Sequence, residues 1–366
     1  MKFVTKVLCF VLVYSPVSFA AANTPTEKVL VYRGTSDASA AVAVSEDTFI
    51  VADDENNMLR VYKTDRGGLP VFAYDLTDFL DVEPEHPEAD IEGATMIEDR
   101  IYWITSHGRN KDGKTRPNRY RFFATMVEVH NGNVTVRPVG APCKTLVHRL
   151  VKTKTMRHLG LDKATQFDAT NLTKKGRKRL APKEQGLNIE GLCASADGET
   201  IYLGFRNPRP YDRATGKAKA LVVPLNNPKT VIDSGEPPIF GEPILWDLRG
   251  LGIRSMEYSD FHKAYFIIAG PHNESDTFVL YRWSGRKDTP PKVVCELGSP
   301  ERKFSPEALI TFKSSAGFLM LSDDGSLVVD VSNSAECIQG QLRKDGTCLN
   351  KFLTNPNKKC FRGIWH

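Results

Sequence analysis

Asn188-Ile189-Glu190-Gly191-Leu192 opens a short apolar run with one carboxylate near its start, and Asp90-Ile91-Glu92-Gly93-Ala94 says the same thing earlier in the chain. Ser255-Met256-Glu257-Tyr258 and Ser305-Pro306-Glu307-Ala308-Leu309 repeat the phrase more loosely, and Asp37-Ala38-Ser39-Ala40 begins the series with Asp in place of Glu. After each phrase come a polar turn and a second apolar run: Phe49–Ala52, Ile101–Thr105, Ile201–Phe205, Tyr265–Ala269 and Phe318–Ser322. One supersecondary unit recurring along a chain is the mark of a propeller or solenoid, in which each unit buries its apolar face against the next.

Working outward from these pairs, the sequence predicts an all-β propeller of five blades, with six if part of an insertion supplies strands. Alternating apolar runs bounded by Asp, Gly and Pro extend blades one to four to further strands. Blade one adds Leu59–Tyr62 and Val71–Tyr74, and blade two adds Phe122–Val129 and Val134–Pro138. Blade three adds Ala220–Pro224 and Ile244–Trp246, and blade four adds Phe278–Trp283 and Val293–Leu297. Blade five reads Ala308–Phe312, Phe318–Ser322 and Leu327–Val331, and its outer strand is expected from Val29–Tyr32, which closes the ring. The propeller thus spans 29–332. It is interrupted at about 141–186, where Leu146, Val147, Leu150 and Val151 recur at helical spacing and a basic cluster, Lys174 to Arg179, follows. Residues 333–366 turn polar, carry three cysteines and read as a disulfide-pinned tail.

The first 20 residues read as a signal peptide. Lys2 and Lys6 precede the apolar run Val7–Val13, which is too short to span a bilayer, and Ser18-Phe19-Ala20 has the small residues of a cleavage site. The expected location is periplasmic or secreted, with no later membrane span. Cleavage near Ala20 lowers the formal charge from +5 to 5 − 2 = +3, too little to argue for nucleic acid. Six cysteines then remain of seven, an even number that permits disulfides without fixing which of 15 pairings forms. With no CxxC pair, zinc is disfavoured.

Propeller topology brings the starts of the innermost strands and the loops after the second strands to one face. Candidate metal ligands at that mouth are Asp53, Asp90, Glu92, Glu190, Glu257, Glu307 and Asp323, with Asp37 beside them. Carboxylates crowded in a channel need a cation, arginine partners or raised pKa values, and a hard all-oxygen set suits calcium. Glu92, Glu190 and His107 are the candidate catalytic groups. Candidate ligand-binding residues are Arg109, Asn110, Arg116, Asn118, Arg119, Asn188, Arg206, Asn207 and Arg254, several of them guanidinium forks suited to phosphate or carboxylate. Against this stands a structural role, in which the repeated glutamates accept backbone N–H groups and lock the ring.

The set Asp90-Ile91-Glu92-Gly93, Ser106-His107-Gly108-Arg109-Asn110, Arg116-Pro117-Asn118-Arg119, Arg121-Phe122-Phe123-Ala124, Leu187-Asn188-Ile189-Glu190-Gly191-Leu192, Gly204-Phe205-Arg206-Asn207-Pro208 and Gly252-Ile253-Arg254-Ser255-Met256-Glu257-Tyr258 resembles an uncharacterised bacterial domain family. The match runs from about Ser36 to Asp330 and implies a propeller fold. The Glu-Gly phrase is distantly similar to phytase-like and esterase-like propellers, some of which use calcium. Three functions follow as expectations. The first is a calcium-assisted hydrolase of phosphate or other anionic esters, and the second a non-catalytic propeller that binds a small anionic ligand or an envelope protein. A calcium-dependent lactonase-like esterase is the third, and the chain is expected to act as a monomer.

Overall fold

The computed structural model describes residues 28–130, 133–273, 275–297 and 303–366. The signal peptide expected over residues 1–20 lies outside the described residues. Five four-stranded antiparallel sheets stand around a central axis, and they are the five blades expected from the repeat.

A first strand, β1 (Val29–Arg33), precedes the ring. Blade one is β2 (Ala38–Ser45), β3 (Thr48–Asp53), β4 (Met58–Lys63) and β5 (Phe72–Asp75). Blade two is β6 (Ile91–Ile97), β7 (Arg100–Thr105), β8 (Phe122–His130) and β9 (Asn133–Cys143). In blade three, β10 (Asn188–Ala194) and β11 (Ile201–Asn207) are followed by a small outlying hairpin, β12 (Tyr211–Asp212) and β13 (Lys217–Ala218). The blade resumes with β14 (Ala220–Leu225) and β15 (Ile244–Trp246). Blade four is β16 (Gly252–Ser259), β17 (Ala264–Gly270), β18 (Phe278–Trp283) and β19 (Lys292–Leu297). The last blade starts with β20 (Pro306–Thr311) and β21 (Phe318–Ser322).

Each blade begins with its innermost strand, and β2, β6, β10, β16 and β20 pack side by side in a closed ring. Apolar side chains of neighbouring blades fill the seams; Trp103, Phe123, Ile50 and Val61 are fully buried in the seam of blades one and two. Glycine is required where inner strands approach most closely. A Cβ on Gly191 would lie 2.7 Å from Ile253 Cγ2 and 3.1 Å from Gly204 Cα.

The closing strand differs from expectation. β1 does join the last blade, but its neighbour is the end of the chain. Next come β22 (Val328–Asp330), β23 (Thr347–Leu349) and β24 (Cys360–Trp365). Blade five runs β20-β21-β24-β1, with Val29 opposite Ile364 and Arg33 opposite Cys360. The expected third strand at Leu327–Val331 is instead β22, half of a two-stranded sheet with β23. The reason is burial: β24 inserts Phe361, Gly363 and Ile364 into the core, whereas Val328 and Asp330 are exposed. Residues 333–366 are therefore not wholly a tail, because their last strand completes the ring. Closure leaves no free edge at the seam. The disulfide expected in this region joins Cys337 and Cys348, and Cys360 carries a thiol.

The insertion is helical as expected, with short helices at Leu146–Leu150, Lys154–His158, Leu161–Thr165 and Lys174–Lys178. Thr153 and Thr173 cap two of them by accepting from Met156 N and Gly176 N. It adds no strand to the ring, so the count is five. Leu146, Val147, Leu150, Met156 and Leu161 anchor it against Phe122 and Phe205 of blades two and three. Among the described residues, no helix is long and apolar enough to cross a membrane.

Candidate functional site

All five inner strands carry a bulge at the same level. The pairing with the second strand skips Ser39 between Ala38 and Ala40, Glu92 between Ile91 and Gly93, and Glu190 between Ile189 and Gly191. It skips Arg254 between Ile253 and Ser255, and Glu307 between Pro306 and Ala308. A bulge places two residues opposite one and re-aims the extra side chain. The mouth is therefore ringed by Ser39, Glu92, Glu190, Arg254 and Glu307.

This corrects the expected alignment of blade four. Glu257 is not the counterpart of Glu92 and Glu190; Arg254 is, and Glu257 lies three residues further along β16. Its carboxyl is buried, and burial alone pushes its pKa well above the usual carboxylate range.

Around the ring, one side is internally neutralised. Arg206 Nη1 donates to Glu190 Oε1 at 2.7 Å, and Asn188 Nδ2 donates to the same oxygen at 2.6 Å. Arg254 Nε stands 3.1 Å from Glu190 Oε2, outside hydrogen-bond alignment, and its Nη2 pairs with Glu307. Arg206 also donates to the carbonyls of Pro271 and His272. Two carboxylates and two guanidinium groups thus face one another, nearly all buried. Burial, with the like charge of Arg206, pushes Arg254 down to about 10.

The other side is acidic. One carboxylate oxygen each from Asp37, Asp53 and Asp54 lies within 4.8 Å of the others, and the same holds for Asp54, Asp90 and Glu92. Asp54 belongs to both groups. Its Oδ1 is sealed from solvent and accepts no hydrogen bond. Burial and then the charges of Asp37 and Glu92 hold Asp54 well above the carboxylate range. Burial and then Glu190 and Asp90 do the same to Glu92. Asp37, buried beside Asp323 and Asp53, is pushed up to about 9, and burial raises Asp53 to about 6 against the pull of Arg60. Asp54 and Glu92 keep some accessible surface although protein surrounds them, as expected of groups lining a narrow opening. Cationic compensation is partial. Arg119 pairs with Asp90 at 2.8 Å and with Glu88, Arg60 lies 4.0 Å from Asp53, and Lys351 donates to Glu55 at 2.6 Å.

Several expected site residues have other work. His107 is buried at φ +53°, with Nδ1 2.8 Å from the Thr105 carbonyl and its ring edge-on to Tyr120. Burial lowers its pKa to about 4, and the charges that act on it are those of His148 and Arg121, not the mouth carboxylates. Arg109 donates to the carbonyls of Gly113, Thr165 and Gln166 and so ties the insertion down. Asn110 accepts from Asp112 N and Lys114 N in a turn, and half-buried Arg116 donates to the Thr115 carbonyl of its own loop. Asn118 joins the loop of Glu83 and His86, and Asn207 donates to the carbonyls of Pro182 and Glu184. Asp323 accepts from Gly325 N and bridges to Asp37. Asp54, the hinge of both acidic groups, is not among the ligands expected from the sequence, although the run Asp53-Asp54-Glu55 on a mouth loop is a signal for it.

A family model described as "Protein of unknown function (DUF3616)" matches residues 37–305, in agreement with the motif resemblance. No curated protein matches the chain. Among solved structures, a Bacteroides thetaiotaomicron protein of unknown function is similar at 11% identity, over 92% of this chain and 76% of its own, with a TM-score of 0.40. A putative oxidoreductase (glucose dehydrogenase) of Thermus thermophilus is similar at 10% identity over 92% and 99%, TM-score 0.40. The PQQ-bound aldose sugar dehydrogenase of Streptomyces coelicolor is similar at 8% identity over 93% and 99%, TM-score 0.39.

Proposed function

The chain belongs to the DUF3616 family of proteins of unknown function, and from that premise we propose that it is an exported, calcium-dependent hydrolase whose site is the acidic side of the channel mouth. The observation that carries this reading is the Asp54 carboxylate, which has an unpartnered buried oxygen and joins two groups of acidic side chains. Two oxygens on one calcium, each at about 2.4 Å, are at most about 4.8 Å apart. Oxygens of Asp37, Asp53 and Asp54 meet that limit, as do those of Asp54, Asp90 and Glu92. The donor set is all oxygen and hard, as calcium prefers over softer metals.

When bound, calcium supplies a Lewis acid for an ester oxygen. Asp37, Asp53 and Asp54 would hold it. Glu92, whose raised pKa makes it a strong base once a bound cation has driven off its own proton, would then take one from an attacking water. Glu190, Arg206, Arg254 and Glu307 form the opposite wall and present a charge-balanced surface there. His107 is no shuttle in this scheme, and Arg119 and Arg206 spend their charge on Asp90 and Glu190. Attraction for an anionic phosphate ester then rests on the cation, which leaves carboxyl esters and lactones within the same chemistry. Export is supported by the Cys337–Cys348 disulfide, since such bonds persist in oxidising compartments.

A non-catalytic ligand-binding propeller is the second reading, favoured by the burial of His107, which leaves Glu92 without a companion base. Turnover of phosphate, carboxyl and lactone esters, with calcium and after chelation, separates the two. Hydrolysis of one class that chelation abolishes supports the hydrolase. Calcium binding with no turnover of any class decides for the binding module.

A further inference from the structure

Between β21 and β24 the chain leaves the last blade, and residues 323–359 form a module containing the β22–β23 pair and the disulfide. Its root rests on the acidic side of the mouth. Asp324 N donates to the Ser36 carbonyl at 2.9 Å, and Gly325 lies so close to Asp37 that a Cβ there would fall 1.7 Å from Oδ1. Asn350, fully buried, donates to the carbonyls of Asp324 at 2.9 Å and Cys360 at 2.6 Å, and Lys351 N donates to the Gly325 carbonyl at 3.1 Å. This framework fixes where the Lys351 side chain can reach. Its ammonium stands 2.6 Å from Glu55 Oε1, and its charge acts on Asp37 and Asp54 beyond. The arginines of the mouth belong to the propeller blades and their loops; Lys351 is brought in from outside the ring.

We propose that Lys351 is a tethered counter-ion of the acidic mouth, which competes with a divalent cation for Asp37 and Asp54 and so sets the affinity of that site. The proposal rests on the reading of the mouth as a cation site. A positive charge held near two carboxylates offsets part of their mutual repulsion before any ion arrives. An incoming cation meets that same charge, either as repulsion or as the cost of parting Lys351 from Glu55. Lys351 is suited to such a part because its side chain keeps a third of its surface exposed and so has room to withdraw.

Calorimetric titration of the full chain with calcium alone tests this. Lys351→Gln should bind calcium about tenfold more tightly than wild type, and Lys351→Arg should stay within about twofold. Lys351→Met, which keeps an unbranched side chain and, like Lys351→Gln, loses the ammonium that sits over the Phe352 ring, should behave as Lys351→Gln does and guards against a fold defect peculiar to one variant. A lysine that merely props up the module would give the opposite sign, because its loss would loosen Gly325 over Asp37. Affinity unchanged or weakened in both neutral variants, with wild type binding calcium, overturns this inference alone and leaves the hydrolase reading standing. No calcium binding by any of the four proteins overturns both.

Discussion

The two sides of the channel mouth are built on the same bulge yet solve the problem of buried charge in opposite ways. On the side of blades three, four and five, Glu190 and Glu307 face Arg206 and Arg254, so the charge is balanced within the protein. On the side of blades one and two, Asp37, Asp53, Asp54, Asp90 and Glu92 crowd together, and Arg119, Arg60 and Lys351 answer them only in part. A buried ion pair survives because each partner meets the other's desolvation cost. A buried carboxylate without a partner must hold a proton or recruit a cation. The balanced half of the repeated feature is architecture, and the unbalanced half is available for chemistry.

The sharpest break would come on the balanced side. Replacing Arg254 by Met takes the guanidinium from buried Glu307 and leaves Glu190 with Arg206 and Asn188, so urea unfolding should show a loss of about 3–5 kcal/mol. A loss under about 1 kcal/mol would mean that this side is not held by its ion pairs.

Next is pH, which should act on the acidic side. Asp37, Asp53 and Glu88 have native pKa values raised to about 9, 6 and 7. Their contribution to stability is complete below about pH 4, where the unfolded carboxyls also hold protons. It is lost as pH rises through the native values, so stability in chelator should fall steadily between about pH 4 and pH 9. Saturating calcium should flatten that fall. Equal slopes with and without calcium would remove the cation from the comparison.

Asp54→Asn probes the same side with less disruption. It takes one charge from a crowded cluster at nearly constant shape, so stability in chelator should rise or stay within about 1 kcal/mol of wild type. Calcium affinity by calorimetry should drop about tenfold or more, since one carboxylate serves both groups. The smallest effect is expected at Glu257→Gln, below both sides, where burial already favours the neutral acid. A change in the thermal midpoint worth less than about 1 kcal/mol is expected at pH 7. A larger loss would reveal an ionised partner for Glu257.

How much of this was legible in the chain depends on the range of the interaction. Alternating apolar runs and turn residues are local, and they located strands such as Ile101–Thr105 and Phe318–Ser322 without knowledge of their neighbours. β24 escaped because Cys360-Phe361-Arg362-Gly363-Ile364-Trp365 is short and follows a polar segment, and only a vacant place between β21 and β1 makes it a strand. The glutamates at the mouth were visible as a repeat, but their partners were not. Spacing alone put Glu257 in blade four where the bulge puts Arg254.

Residue order at short range carries the repeat, the five blades, the helical insertion and the carboxylate-rich mouth. The tertiary structure decided which strand closes the ring, which arginine answers which glutamate, and that Asp54 is left with an unmatched buried oxygen. Those facts depend on side chains far apart in the chain meeting at a few ångströms, and charge energies at that range are set by neighbours and burial, not by residue type.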